Sequence, residues 1–102
     1  MIRAVEQHQS KIQALCRKFH VKRLEIFGSA ARGTFDFTSS DIDFLVEFEE
    51  LGWKGASNRY FGLLHALEDL LGCRIDLVER KGITSPIFLQ VADRDCEPLY
   101  AA

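Results

Sequence analysis

The sequence predicts an α/β (α+β) fold, a small mixed sheet flanked by helices, in one domain over residues 1–102. Three observations carry this. Apolar residues recur with helical spacing in some segments and with two-residue spacing in others, and the two kinds alternate along the chain. Glycines and a Ser-Pro pair fall at the borders between them. At 102 residues with 47% hydrophobic and 27% charged content, the chain has material for one modest core.

Residues 2–19 set Ile2, Val5, Ile12, Leu15, Cys16 and Phe19 on one stripe of a single helix, with charges and glutamines opposite. VKRLEIFG, residues 21–28, is short, rich in β-formers and ended by glycine, which reads as a strand. Ser29 caps a helical turn through Ala30, Ala31 and Arg32 that Gly33 closes, and residues 34–40 read as loop. DIDFLVEF, residues 41–48, alternates: Ile42, Phe44, Val46 and Phe48 share one face, and Asp41, Asp43, Leu45 and Glu47 the other. Gly52 and Gly55 mark a loop around Trp53. Residues 57–71 form a helix with Tyr60, Leu64, Leu67 and Leu71 inward and Gly72 as its stop. RIDLVE, residues 74–79, is a third strand. Ser85 then caps a helix whose first residue is Pro86, and CEPLY reads as a short edge segment.

A net charge of −2 gives no reason to expect strong direct nucleic-acid binding, which rests on phosphate neutralisation. Cys16, Cys73 and Cys96 are odd in number and lack zinc spacing, so they suit buried thiols in a reducing compartment. The first twenty residues hold no continuous apolar stretch, so neither a secretory signal nor a membrane span is expected there. With no address visible, the cytoplasm is the expected location. There is no repeat, low-complexity tract or linker.

The chemistry concentrates in IFGSAARGTFDFTSSDIDFLV, residues 26–46. Asp41 and Asp43 are two residues apart at a strand mouth, so both point to one face with Cα atoms roughly 6.5–7 Å apart. Carboxylates so placed repel each other and resist desolvation unless a cation neutralises them. Asp76 breaks the apolar run of the third strand, and it becomes a third carboxylate at the same end if that strand pairs with the second. Three hard oxygen ligands with open positions suit Mg²⁺, which takes its remaining ligands from water and phosphates. Two such ions can clamp the attacking and leaving oxygens of a phosphoryl displacement. Gly28 lets the backbone approach a phosphate, Ser29 adds a hydroxyl and an N–H, and Arg32 adds charge for a triphosphate tail.

Gly28-Ser29, Ala31-Arg32-Gly33, Ser40-Asp41-Ile42-Asp43 and the downstream LEDLLGCRIDLVE resemble the minimal nucleotidyltransferases, the MNT-domain proteins of the DNA polymerase β-like superfamily. The resemblance covers nearly the whole chain and implies a polymerase β-like nucleotidyltransferase core. Carried over residue by residue, it makes Asp41 and Asp43 the metal ligands and Asp76 the third carboxylate, and gives Gly28 and Ser29 the triphosphate. It further implies an antitoxin paired with a helical HEPN-domain toxin, which it neutralises by moving AMP from ATP to a hydroxyl, tyrosine foremost, with Mg²⁺ in two sites. The chain departs in one respect. Eleven residues, 30–40, separate Ser29 from Asp41, where the family usually has ten, and the extra one falls within residues 34–39.

Two other functions remain open from sequence. One is an antitoxin that masks its toxin by binding alone, and the other is a small-molecule nucleotidyltransferase, which normally needs an added acceptor-binding region. At this length the partner, or a second copy in a homo-oligomer, is expected to complete the site. Bland roles are expected elsewhere. His8, His20 and His65 are scattered on helices without metal spacing, and Lys11, Arg17 and Lys18 form a solvated face. Trp53, Tyr60 and Phe61 read as core or rim, Phe35 and Phe37 as packing, and Lys54 and Arg59 as candidates for a phosphate contact.

Overall fold

In the computed structural model, which describes residues 2–32 and 41–102, the N-terminal stripe forms two helices, α1 (Arg3–Gln7) and α2 (Gln9–Lys18), where the periodicity predicts one. The break is at His8. Its ring Nδ1–H donates to the Ala4 carbonyl at 2.8 Å, taking the acceptor that a continuing helix offers to the His8 backbone N–H, which bonds Val5 instead. Val5, Ile12 and Cys16 are nonetheless fully buried, so the stripe survives the break. After α2 the chain turns at His20, whose φ of 59° is left-handed. His8 and His20 thus sit in turns, and His65 alone of the three lies within a helix.

The remaining elements follow the sequence closely: β1 (Val21–Phe27), α3 (Ser29–Arg32), β2 (Ile42–Phe48), α4 (Ala56–Leu71), β3 (Ile75–Glu79), a 3₁₀ turn over Arg80–Gly82, α5 (Pro86–Asp95) and β4 (Glu97–Ala101). The predicted loop with Phe35 and Phe37 lies outside the described residues. Ser85 Oγ accepts from the Phe88 N–H at 3.3 Å with Pro86 as the first helical residue, as the Ser-Pro pair predicts. Gly72 ends α4, its N–H bonding the Glu68 carbonyl. No helix among the described residues is long and apolar enough to cross a membrane.

The sheet order is β3-β2-β1-β4, with β1 antiparallel to both neighbours and β2 parallel to β3. Parallel neighbours need a crossover, and α4 supplies it. Helices α2 and α4 join the core face of the sheet, where Leu24, Ile26, Ile42, Phe44 and Val46 meet Ile12, Cys16, Leu63 and Leu67. The inward stripe of α4 centres on Leu63 and Leu67, with Tyr60, Leu64, Leu70 and Leu71 only partly buried at its flanks. Gly62 lets α4 approach α2, since a Cβ there would run into the Phe19 ring. Leu45, on the carboxylate face, is also buried. It lies in register between Glu25 and Val78 on a central strand, which explains why β2 buries both faces there.

Both edges of the sheet carry a side-chain hydrogen bond to a strand carbonyl. Tyr60 Oη donates to Leu77 O on β3, and Gln13 Nε2 donates to Leu99 O on β4 at 3.2 Å. Trp53 is 88% exposed, so it is neither core nor a covered rim.

Burial pushes the Cys16 thiol up from 9.0 to about 12, against a smaller downward pull from Arg17. Its folded pKa is above the unfolded one, so the neutral thiol's contribution is whole below pH 9. It is lost as pH rises toward 12, at about 1.4 kcal/mol per pH unit. Cys16→Val is expected to flatten the alkaline limb of stability against pH, each protein measured relative to its own value at pH 8. Equal slopes for variant and wild type would contradict this assignment.

Candidate active site

The parallel register of β2 and β3 sets Asp43 directly beside Asp76, with Ile42 beside Ile75 before them and Phe44 beside Leu77 after. Adjacent strands lie about 4.8 Å apart, so these two carboxyl-bearing residues are as close as neighbouring strands allow. On the other side, Asp43 is in register with Phe27, the last residue of β1. The chain then turns at Gly28, whose φ of 72° is left-handed, and enters α3 with Ala31 N–H bonding Gly28 O at 3.2 Å. Gly28 presses on Asp43, because a Cβ there would collide with the Asp43 carboxylate oxygen Oδ2. A side chain at that turn is strained by conformation, and the Asp43 carboxylate would have to turn aside to admit it.

Asp41 is placed differently. It stands just ahead of β2, and its Oδ1 lies 3.1 Å from Arg74 Nε, the residue ahead of β3. The contact is an ion pair without the alignment of a hydrogen bond, since Oδ1 is enclosed and has no hydrogen-bond partner. Backbone pairing fixes the neighbourhood, with Ile42 N–H donating to Arg74 O at 3.1 Å. Among the described residues, no three His, Cys, Asp or Glu side chains are gathered into a metal-binding group. The structure therefore brings Asp43 to Asp76 and to Gly28, and leaves Asp41 facing Arg74.

The donor set still fits a divalent cation in its chemistry. It offers carboxylate oxygens alone, one of them enclosed without a hydrogen bond, beside a glycine turn that leaves no side chain in the way. The charge is felt locally. Burial first, then the negative charges of Asp76 and Glu79, push the Tyr60 phenol above its ordinary value. Burial, then Asp41, does the same for the Cys73 thiol.

Ser29 opens α3 and Arg32 closes it. Arg59 donates to Lys54 O at 3.1 Å and to Gly52 O at 2.9 Å. It thereby fastens the loop that follows the far end of β2, so the Arg59 guanidinium, predicted as a phosphate contact, is engaged in loop structure, and Lys54 takes part through its backbone carbonyl. A cleft of about 460 Å³ lined by Phe48, Leu51, Arg59 and Lys81 also lies at that end, away from the aspartates.

Sequence reasoning missed the contacts that Phe27 and Glu25 make on the carboxylate face. Phe27 forms an edge-to-face pair with Phe88 of α5, ring centroids 6.0 Å apart. Glu25, mostly buried, accepts from Arg80 at 2.8 Å and from the Cys96 thiol at 3.1 Å, tying the 3₁₀ turn and the end of α5 to β1. The available signal was a carboxylate in the middle of VKRLEIF, on the same alternation as Phe27. Arg80 therefore engages Glu25, and Arg74 engages Asp41.

A model of the nucleotidyltransferase domain matches residues 9–95. The chain belongs to the nucleotidyltransferase family. This nucleotidyltransferase is 38% identical over 73 residues to the protein adenylyltransferase MntA of Thermococcus cleftensis, spanning 72% of this chain and 70% of that one. Among solved structures, a chain described provisionally as a minimal nucleotidyltransferase superposes with a TM-score of 0.78. The two are 34% identical, over 93% of this chain and 92% of the other. A toxin–antitoxin crystal structure with AMP-PNP contains a chain that matches with a TM-score of 0.71 at 25% identity, over 92% of this chain and 73% of that one. The polymerase β-like core expected from the motifs is thus the fold observed, and the protein is an enzyme of the nucleotidyltransferase class.

Proposed function

We propose that this nucleotidyltransferase is an antitoxin that transfers AMP from ATP to a hydroxyl, tyrosine foremost, of a HEPN-domain toxin. The observation that carries the reading is the strand register that sets Asp43 beside Asp76 while Gly28 presses on the Asp43 carboxylate. The protein adenylyltransferase named among its relatives and the toxin–antitoxin structure with AMP-PNP supply the acceptor class and the kind of partner.

In this reading Asp41, Asp43 and Asp76 hold Mg²⁺, which when bound polarises the phosphate and stabilises the charge that develops during displacement. The turn at Gly28 and Ser29 offers backbone N–H groups to the triphosphate, and Arg32 adds positive charge to its tail. The acceptor oxygen attacks the α-phosphorus, the bond to the bridging oxygen breaks, and pyrophosphate leaves with that oxygen. Asp76, exposed at the strand end, takes the hydroxyl proton and passes it to water. One domain does this, with the partner closing the open side of the site.

The test uses ATP labelled at either end, with the neighbouring HEPN protein as acceptor. Label from the α-phosphate is expected on the partner, and label from the γ-phosphate is expected in pyrophosphate only. Transfer of γ-label would make the protein a kinase instead. Neutralisation of the toxin with no label from either position would leave the binding-only antitoxin.

A further inference from the structure

The carboxylates of the candidate site are not all turned the same way, and the exception has a definite cause in the chain. Asp41 and Arg74 stand at equivalent places, each one residue ahead of its strand, in two strands that run parallel. The backbone bond from Ile42 N–H to Arg74 O locks these two positions side by side. A side chain at position 74 that is long and cationic therefore reaches Asp41 with little search, and Nε comes to 3.1 Å from Oδ1. The arginine does so from solvent, its side chain 77% exposed, while the carboxylate oxygen it meets is enclosed and not hydrogen-bonded. Such a contact carries charge compensation without the directional hold of a bidentate pair.

We infer that Arg74 is the resident counter-ion of the carboxylate group and competes with the divalent cation for Asp41. The inference rests on reading Asp41, Asp43 and Asp76 as the metal ligands, and it adds a residue that governs when that site fills. Its two consequences have opposite signs. With no metal, the guanidinium offsets the charge of Asp41, whose enclosed oxygen has no hydrogen bond, so Arg74 stabilises the fold. With metal, the same positive charge must give up its oxygen and remain nearby, so Arg74 weakens metal binding. A residue that only shapes the strand mouth would do neither, and one that holds Asp41 ready for the ion would strengthen binding.

The test is a titration with Mn²⁺ or Mg²⁺ alone, without nucleotide, followed by calorimetry and by thermal melts, for wild type, Arg74→Gln and Arg74→Lys. Asp43→Asn in the same assay identifies the site that is being titrated. Arg74→Gln is expected to bind metal roughly two- to fivefold tighter at low salt, the size that an exposed ion pair commands. It is also expected to melt lower than wild type before metal is added and to gain more on its addition. Arg74→Lys keeps the charge and should stay near wild type, and the difference between Gln and wild type should shrink at high salt. If wild type binds metal at the site and Arg74→Gln binds it equally or more weakly, the inference fails while the ligand assignment stands. If neither binds metal, both fall.

Discussion

Asp43→Asn is expected to lower nucleotidyl transfer by at least about a thousandfold while the protein remains folded. Metal stabilisation of an in-line displacement contributes several kcal/mol, and each ~1.4 kcal/mol is tenfold in rate, so loss of a central ligand removes roughly three decades. The fold should tolerate the change because Asn has the same shape. The contact with Gly28 is preserved, and the core face of Ile42, Phe44 and Val46 on the same strand is untouched. Asp41→Asn should act in the same direction. Asp69→Asn, on the exposed side of α4, should be silent. Rates of α-label transfer and thermal melts on the same preparations check this. An Asp43→Asn protein retaining a tenth of wild-type rate would remove Asp43 from the site.

Gly28→Ala is expected to damage both stability and transfer, which distinguishes it from the isosteric aspartate variants. A left-handed backbone costs a non-glycine residue about 1–2 kcal/mol, and here the new Cβ also meets the Asp43 carboxylate. Asp43 sits in the middle of a three-strand register between Phe27 and Asp76, so the carboxylate yields by turning away rather than by moving its strand. Misplacing a reacting group by about an ångström costs on the order of a hundredfold in rate. The combined expectation is a loss of at least 1 kcal/mol in denaturant unfolding and about a hundredfold in transfer. Gly82→Ala, where a Cβ meets nothing within 4 Å, is the control and should change neither. A Gly28→Ala protein with wild-type rate would show that the turn does not abut the chemistry.

What the sequence made legible was local. The turn at Gly28, the Ser85 cap with Pro86 behind it, the Gly72 stop and the core face of β2 all follow from chemistry within a few residues. Strand adjacency was conditional until the structure paired β2 with β3, because register is set by the whole sheet and not by either strand. The split at His8 was hidden because the stripe continues through it, and the competing bond from the ring to Ala4 leaves no mark in periodicity. Leu45 read as outward because alternation assumes one wet face, which a central strand lacks. The aspartates stood out by breaking apolar runs. Their partners did not, since the contact between Arg74 and Asp41 spans a whole helical crossover and an exposed arginine is unremarkable in sequence.

The central claim, that this nucleotidyltransferase moves AMP onto a partner protein, is tested most directly by the intact mass of the neighbouring HEPN protein. The partner would be incubated with ATP, Mg²⁺ and this protein at one-twentieth of its molar amount, beside a parallel reaction with Asp43→Asn. The account predicts that nearly all of the partner gains the mass of one or more adenylyl groups with wild type and none with the variant. It also predicts fragment ions that place the added mass on tyrosine. A partner of unchanged mass, neutralised only when the two proteins are equimolar and equally well by Asp43→Asn, would contradict it.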